Sequence, residues 1–193
     1  SPMLICLLAY LIITFFNFLF TEIERSKVRN AFSQYLSPVM VEKLAQSSES
    51  LVLGGERKEM TVLFSDIRGF TAISEKYKDN PEGLTDLINQ LLSTLSNEIL
   101  KTEGTIDKYM GDCIMAFWNA PIDQENHRER AIEAAFNMQT ALRELNEELG
   151  KFDQDEMAIG IGINTGECIV GNMGSEQRFD YTVLGDSVNL ASR

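Results

Sequence analysis

Two aspartates stand where short apolar runs give way to glycine: Asp66 in Phe64-Ser-Asp-Ile-Arg-Gly-Phe-Thr71, and Asp112 in Asp107-Lys-Tyr-Met-Gly-Asp112. Glycine lets a ligand come close to the backbone. Two carboxylates on adjacent strand ends form an oxygen-ligand site for magnesium, which takes one or two carboxylates and fills its shell with substrate phosphates. The same residues also have a plainer use, Asp66 capping the following turn and Asp112 making a hairpin, and spacing alone leaves the two readings even. Arg68, beside Asp66, is a candidate phosphate ligand or a solvated turn residue. Asn189 and Arg193 are four apart, so on a helix they share one face and reach one ligand; otherwise they are part of a solvated surface.

Elements must hold these groups in place. Residues 60–64 are apolar and β-prone, so Asp66 falls at a strand's carboxyl end. Leu84, Leu87, Ile88, Leu91, Leu92, Leu95 and Ile99 recur at helical spacing and predict a helix over 81–100. Residues 105–109 and 113–118 read as strands around Met110-Gly-Asp112, a hairpin that puts Asp112 in a turn. A second amphipathic helix is predicted over 126–149, with Ile132, Ala135, Met138, Leu142, Leu145 and Leu149 inward. Residues 158–163 alternate with glycines where something packs closely, and 167–170 are expected to pair back after a glycine-rich turn. Residues 181–183 form a last strand, and Gly185-Asp-Ser187 opens a helix. Strand, helix, strand, strand, helix, strand is the ferredoxin-like order, an α+β domain whose antiparallel sheet carries helices on one face. His127 reads as a solvated first-turn residue, and Cys113 as a core residue on the opposite side of the pleat from Asp112.

A formal net charge of −12 argues against nucleic-acid binding, since a phosphate backbone would be repelled. Cys6, Cys113 and Cys168 have apolar flanks and no short metal-ligand spacing, as expected of reduced, buried thiols. Residues 3–20 are apolar apart from Thr14 and Asn17 and as a helix would extend about 27 Å. That predicts a transmembrane helix rather than a buried core helix. Arg25, Lys27 and Arg29 follow it and place the remainder on the cytoplasmic side of an inner or plasma membrane. The expected organisation is a membrane helix at 1–21, a helical connector and linker at 22–50, and one catalytic domain at 51–193.

The quoted segments, with Val188-Asn189-Leu-Ala-Ser-Arg193, agree in order and spacing, and from about residue 51 onward the chain resembles a class III adenylate cyclase. Phe32-Ser-Gln-Tyr-Leu-Ser-Pro38 resembles the approach segment of membrane-attached bacterial members. The resemblance implies two Mg2+ or Mn2+ ions per site, held by Asp66, Asp112 and the Ile67 carbonyl. It implies a phosphate cradle of backbone amides from Ile67, Arg68, Gly69, Phe70 and Thr71, in keeping with the anion affinity of a turn that opens a helix. Base choice falls on Lys108, a donor, and Thr182, which donates or accepts; relatives that make the guanine product carry Glu and Cys there. Without the resemblance these two are a surface lysine and a routine strand threonine. Asn189 would orient the ribose, and Arg193 would stabilise charge on the attacked phosphate.

The implied reaction is attack of the ribose 3′-hydroxyl of ATP on the α-phosphorus, giving cyclic AMP and pyrophosphate, with Asp66 or a metal-bound route taking the proton. Sites would be shared in a homodimer, Asp66 and Asp112 from one chain and Lys108, Thr182, Asn189 and Arg193 from the other. Further strands and a basic triphosphate ligand are expected beyond residue 193. The competing readings are a guanylate cyclase, a catalytically silent cyclase-like dimerisation or nucleotide-sensing module, and a two-carboxylate phosphohydrolase.

Overall fold

A computed structural model describes residues 10, 13–16, 41, 54–150, 156–175 and 178–193. Two compact units are present, 1–48 and 49–193. In the first, Tyr10 and residues 13–16 are helical, and the Thr14 hydroxyl donates to the Tyr10 carbonyl at 2.7 Å. The predicted span at 3–20 and the connector at 22–50 lie otherwise outside the described residues. Among those described, no helix is long and apolar enough to cross a membrane.

The second unit runs β1 (Gly54–Ile67), α1 (Phe70–Lys76), α2 (Pro81–Lys101), β2 (Thr105–Met110), β3 (Cys113–Trp118), α3 (His127–Gly150), β4 (Ile159–Ser175), β5 (Arg178–Leu184) and α4 (Asp186–Ala191). The sheet has the order β2-β3-β1-β4-β5, every neighbouring pair antiparallel. Local signals explain the helix starts. Asn80 caps α2 by accepting the Gly83 amide at 3.0 Å, and Pro81 follows at a position that needs no amide donor. Gly69 precedes α1 at φ 70, a left-handed conformation that glycine enters without steric cost.

Alternation along β1 divides the interior into two layers. Leu63 and Ile67 face α2 and α3, where Leu91, Leu95 and Ile99 meet Ala131, Ala134, Met138 and Leu142. Met60 and Val62 face the other way, into a smaller core with Met115, Phe117, Val170, Val183 and Ala191. This second layer is covered by β5 and α4. The rings of Phe117 on β3 and Tyr181 on β5 lie 6.2 Å apart, so the sheet curls until one edge folds over its middle. Helices on one face therefore describe α1, α2 and α3, with Phe70 and Ile73 of α1 packed on the same core, because α4 packs against the opposite side.

Three expectations change. The strand at 158–163 does not turn: β4 continues for 17 residues, and all 14 residues of β1 pair along it. At Gly166 the ladder with β1 runs on without a break through the Met60–Gly166 pair, and this holds the chain extended where a turn was expected. In α3 the inward stripe is shifted, since Ala131 and Ala134 are buried while Ile132 is half exposed. His127 is buried, its Nδ1 2.7 Å from the Thr61 hydroxyl, which in turn lies 2.7 Å from that of Thr165.

Glycines on β4 act as seats. A Cβ at Gly160 would lie 3.1 Å from the Arg68 guanidinium, and one at Gly162 only 2.1 Å from the Ala191 carbonyl oxygen. Since that second neighbour is backbone, α4 itself would have to move. Gly162→Ala should therefore lower stability by about 1–3 kcal/mol, readable as a reduced midpoint in thermal or urea unfolding.

Burial, reinforced by the Arg128 charge, pushes the His127 imidazole below its ordinary value, against Glu59 and Glu129. A depressed histidine supports the fold as the neutral ring, so its contribution is present above the unfolded value of about 6.5 and is lost as pH falls through the folded one. Unfolding midpoints should drop on acidification through this range. His127→Gln should flatten that part of the pH profile, though its midpoint at neutral pH should be lower than that of the unchanged protein.

Candidate active site

Asp66 is the penultimate residue of β1, one step beyond the Ser65–Ile114 pair, and is exposed on the same face as Met60 and Val62. Asp112 occupies the β2–β3 turn, where Gly111 at φ 68 supplies the left-handed residue. The fold brings the two carboxylates together. Burial pushes the Asp112 carboxyl above its ordinary value and the Asp66 charge pushes it further, while the backbone amides of Asp112 and Ile67 oppose both. Two neighbouring carboxyl groups suit a divalent cation, and an all-oxygen pair suits Mg2+ or Mn2+ better than a thiophilic metal. Among the described residues, no group of three or more His, Cys, Asp or Glu side chains is arranged to hold a metal, so substrate oxygens and water would complete the shell.

Cys113 differs from its expected place. It lines the cleft beside Asp66 instead of joining the core, because residues 113, 115 and 117 share the face of β3 that Asp66 occupies on β1. Burial, then the charges of Asp66 and Asp112, push its thiol above its ordinary value.

Two amides of the segment expected to meet phosphate already have partners within the chain. Ile67 donates to the Asp112 carboxylate, and the Arg68 amide donates to the Ala158 carbonyl at 2.8 Å. The amides of Gly69, Phe70 and Thr71 remain, at the first turn of α1. The Arg68 side chain extends over Gly160 into a cleft of about 630 Å3 that is also lined by Asp66, Asn189 and Arg193. Helix α4 ends at Ala191, so Arg193 lies just past it, yet both Asn189 and Arg193 reach this cleft.

Lys108 and Thr182 do not line that cleft. They meet each other's neighbourhood at Asp107, which was assigned no role from sequence. The Asp107 side chain is fully buried, accepts a hydrogen bond from the Thr182 hydroxyl, has the Val183 amide nearby, and lies 3.2 Å from the Lys108 ammonium. The ammonium lies against Oδ1 as an ion pair, and because an ammonium carries three N–H donors it keeps others for a further partner. Burial raises the Asp107 carboxyl above its ordinary value, and Thr182, Lys108 and Val183 oppose the rise.

Asp107 and Lys108 reach the same partner strand because β2 is irregular. Ile106 pairs with Ala116 and Lys108 with Met115, so Asp107 is the extra residue of a bulge. A bulge re-aims side chains that regular alternation would send to opposite faces. In sequence, Asp107 and Lys108 look like any solvated charge pair, and only the register slip distinguishes them.

Similarity to known proteins agrees with this geometry. Residues 54–193 match the family model of the adenylate and guanylate cyclase catalytic domain. Adenylate cyclase 1 of Rhizobium meliloti is 33% identical over 171 residues, 87% of this chain but 25% of that protein, and the chain spans 33% of the adenylate cyclase of Anabaena cylindrica. The crystal structure of the adenylyl cyclase CyaB from P. aeruginosa is 43% identical over 73% of this chain and 72% of its own, with a TM-score of 0.69. That of the guanylyl cyclase Cya2 is 42% identical over 72% and 70%, with a TM-score of 0.68. With the family model covering the whole curled sheet and both aspartates, the chain belongs to the adenylate and guanylate cyclase catalytic domain family.

Proposed function

We propose that this chain is the catalytic part of an adenylate cyclase, which converts ATP to 3′,5′-cyclic AMP and pyrophosphate. Overall identity does not choose the nucleotide, because an adenylyl and a guanylyl cyclase resemble the chain equally, at 43% and 42%. The observation that carries the choice is the pairing of Lys108 with Thr182 about one carboxylate. An ammonium donates to a ring nitrogen, and a threonine oxygen accepts from an exocyclic amine, which together suit adenine.

Asp66, Asp112 and the Ile67 carbonyl would hold two Mg2+ or Mn2+ ions, which when bound lower the pKa of the attacking hydroxyl and offset charge on the triphosphate. The amides of Gly69, Phe70 and Thr71, with Arg68, are assigned to the phosphates. Asn189 orients the ribose so that its 3′-oxygen lies in line with the α-phosphorus. Arg193 sets its planar, permanently charged fork against the phosphoryl oxygens as pyrophosphate leaves.

The site is shared between two chains of a homodimer in this reading. Lys108 and Thr182 lie away from the cleft that holds Asp66, which supports a base pocket and a metal pair that meet across an interface, whereas Asn189 and Arg193 line the Asp66 cleft of their own chain and are assigned to the partner's metal pair by the family resemblance alone. The apolar segment 3–20 would anchor the protein in an inner or plasma membrane with its catalytic domain cytoplasmic. The helical connector at 22–50 would then adjust how two domains dock.

Full-length protein supplied with ATP or GTP and Mg2+ or Mn2+ should release cyclic AMP from ATP. Absence of any cyclic nucleotide from a demonstrated dimer would overturn the enzyme reading in favour of a silent nucleotide-binding module. Replacing Lys108 by Glu together with Thr182 by Cys should move the kcat/KM preference toward GTP by at least about tenfold; an unchanged preference would remove these residues from base recognition.

Sharing can be tested separately. Asp66→Ala and Arg193→Ala proteins should each be inactive, and an equimolar mixture allowed to exchange subunits should recover about a quarter of wild-type activity, since half the dimers hold one intact site of two. A mixture that stays inactive although heterodimers form would place the whole site within one chain.

A further inference from the structure

The contacts of Asp107 determine which way the Thr182 hydroxyl points its proton. Each neighbour of this buried carboxylate is a donor: the Thr182 hydroxyl, the Val183 amide and the Lys108 ammonium. Three donors and no acceptor call for the ionised form, which can only accept. With its single proton committed to Asp107, the Thr182 oxygen has only lone pairs left for another partner. The arrangement spans the fold, because β2 and β5 are opposite edges of the sheet and meet only through its curl. As the outer strand, β5 has amides on its far side that the ladder does not use, and the Val183 amide lies on the Asp107 side.

We propose that Asp107 is a positioning residue that sets nucleotide specificity: it draws the Thr182 hydroxyl proton to itself and holds the Lys108 ammonium alongside, so that an acceptor stands next to a donor. Adenine presents the matching pattern, an amine beside a ring-nitrogen acceptor. Guanine presents the reverse, a carbonyl beside a ring N–H, and would set its O6 against the threonine lone pairs and its N–H against the ammonium. An unconstrained threonine could rotate its hydroxyl and donate to guanine O6, so discrimination by Thr182 needs the carboxylate behind it. This inference rests on the assignment of Lys108 and Thr182 to the base.

The decisive variant is Asp107→Asn in the full-length dimeric protein, with kcat/KM measured for ATP and for GTP. The amide is isosteric, but it can donate to Thr182 and carries no charge for Lys108. The ATP-to-GTP ratio should fall at least about tenfold, the discrimination expected of one hydrogen bond. Asp107→Glu, which keeps an anionic acceptor, should retain more of the ratio than Asp107→Asn. In a Thr182→Val background the Asp107→Asn change should alter the ratio by less than about threefold, since no hydroxyl remains to orient.

If Asp107→Asn lowers both nucleotides by one factor and leaves the ratio intact, Asp107 is merely structural and the inference falls. Should that variant fail to fold, Thr182→Val against Thr182→Ser tests the same hydroxyl, and equal ratios in the two would overturn it. The exchange of Lys108 and Thr182 described above separates the two ideas. A shift there with an unmoved ratio in Asp107→Asn defeats this inference alone, whereas no shift in either defeats the base assignment beneath it.

Discussion

The pairing of β1 with β4 along the whole of β1 is the constraint on which the rest of the domain depends. It places Asp66 at one end of the shared ladder. At the other end it carries β4 far enough past the sheet's centre for the chain to return as β5 and fold over the second face. Curl brings an outer strand within reach of β2, and that contact assembles the cluster of Asp107, Lys108 and Thr182. Metal pair and base-reading pair are thus set by one long ladder, although they lie on different parts of the surface.

Polar groups inside the domain are handled in two ways. Thr61, Thr165 and the His127 ring form a satisfied buried chain that ties β1, β4 and α3 together, with burial keeping the imidazole neutral. The Asp66 charge works against ionisation of Asp112, a conflict eased by the backbone amides of Asp112 and Ile67. Such a local conflict, in a fold that elsewhere agrees with its sequence pattern, is expected where a ligand completes the arrangement. Asp107 stands between these cases: its side chain is buried, burial raises its carboxyl, and the Thr182 hydroxyl and the Lys108 ammonium beside it oppose the rise.

Much of the architecture was legible. Apolar spacing located α2 and α3, and Met110-Gly-Asp112 located the hairpin, because periods of 3.6 and 2 residues and a left-handed glycine are local properties. The glycines of β4 were rightly read as points of close approach, and the structure supplies what approaches: the Arg68 guanidinium at Gly160 and the Ala191 carbonyl at Gly162. The turn expected near Gly166 was misplaced, since a glycine that seats Ser187 of α4 is indistinguishable in sequence from one that bends the chain. Ile132 was assigned inward for a related reason: the helical period fixes a stripe's spacing, and a shift of one residue needs the partner surface to detect it.

From residue types alone came the identity of the groups able to do chemistry: Asp66, Asp112, Lys108, Thr182, Asn189 and Arg193, and the family that their wording resembles. The kind of group a side chain carries is intrinsic to it and survives any fold, even where burial shifts its charge. Which of these groups meet was decided only in three dimensions. The bulge at Asp107 turns two consecutive side chains toward β5, and Asp107 accepts from a threonine 75 positions away along the chain. A register slip and a curled sheet are properties of strand pairing, spread over the whole domain, and no short window of residues encodes them.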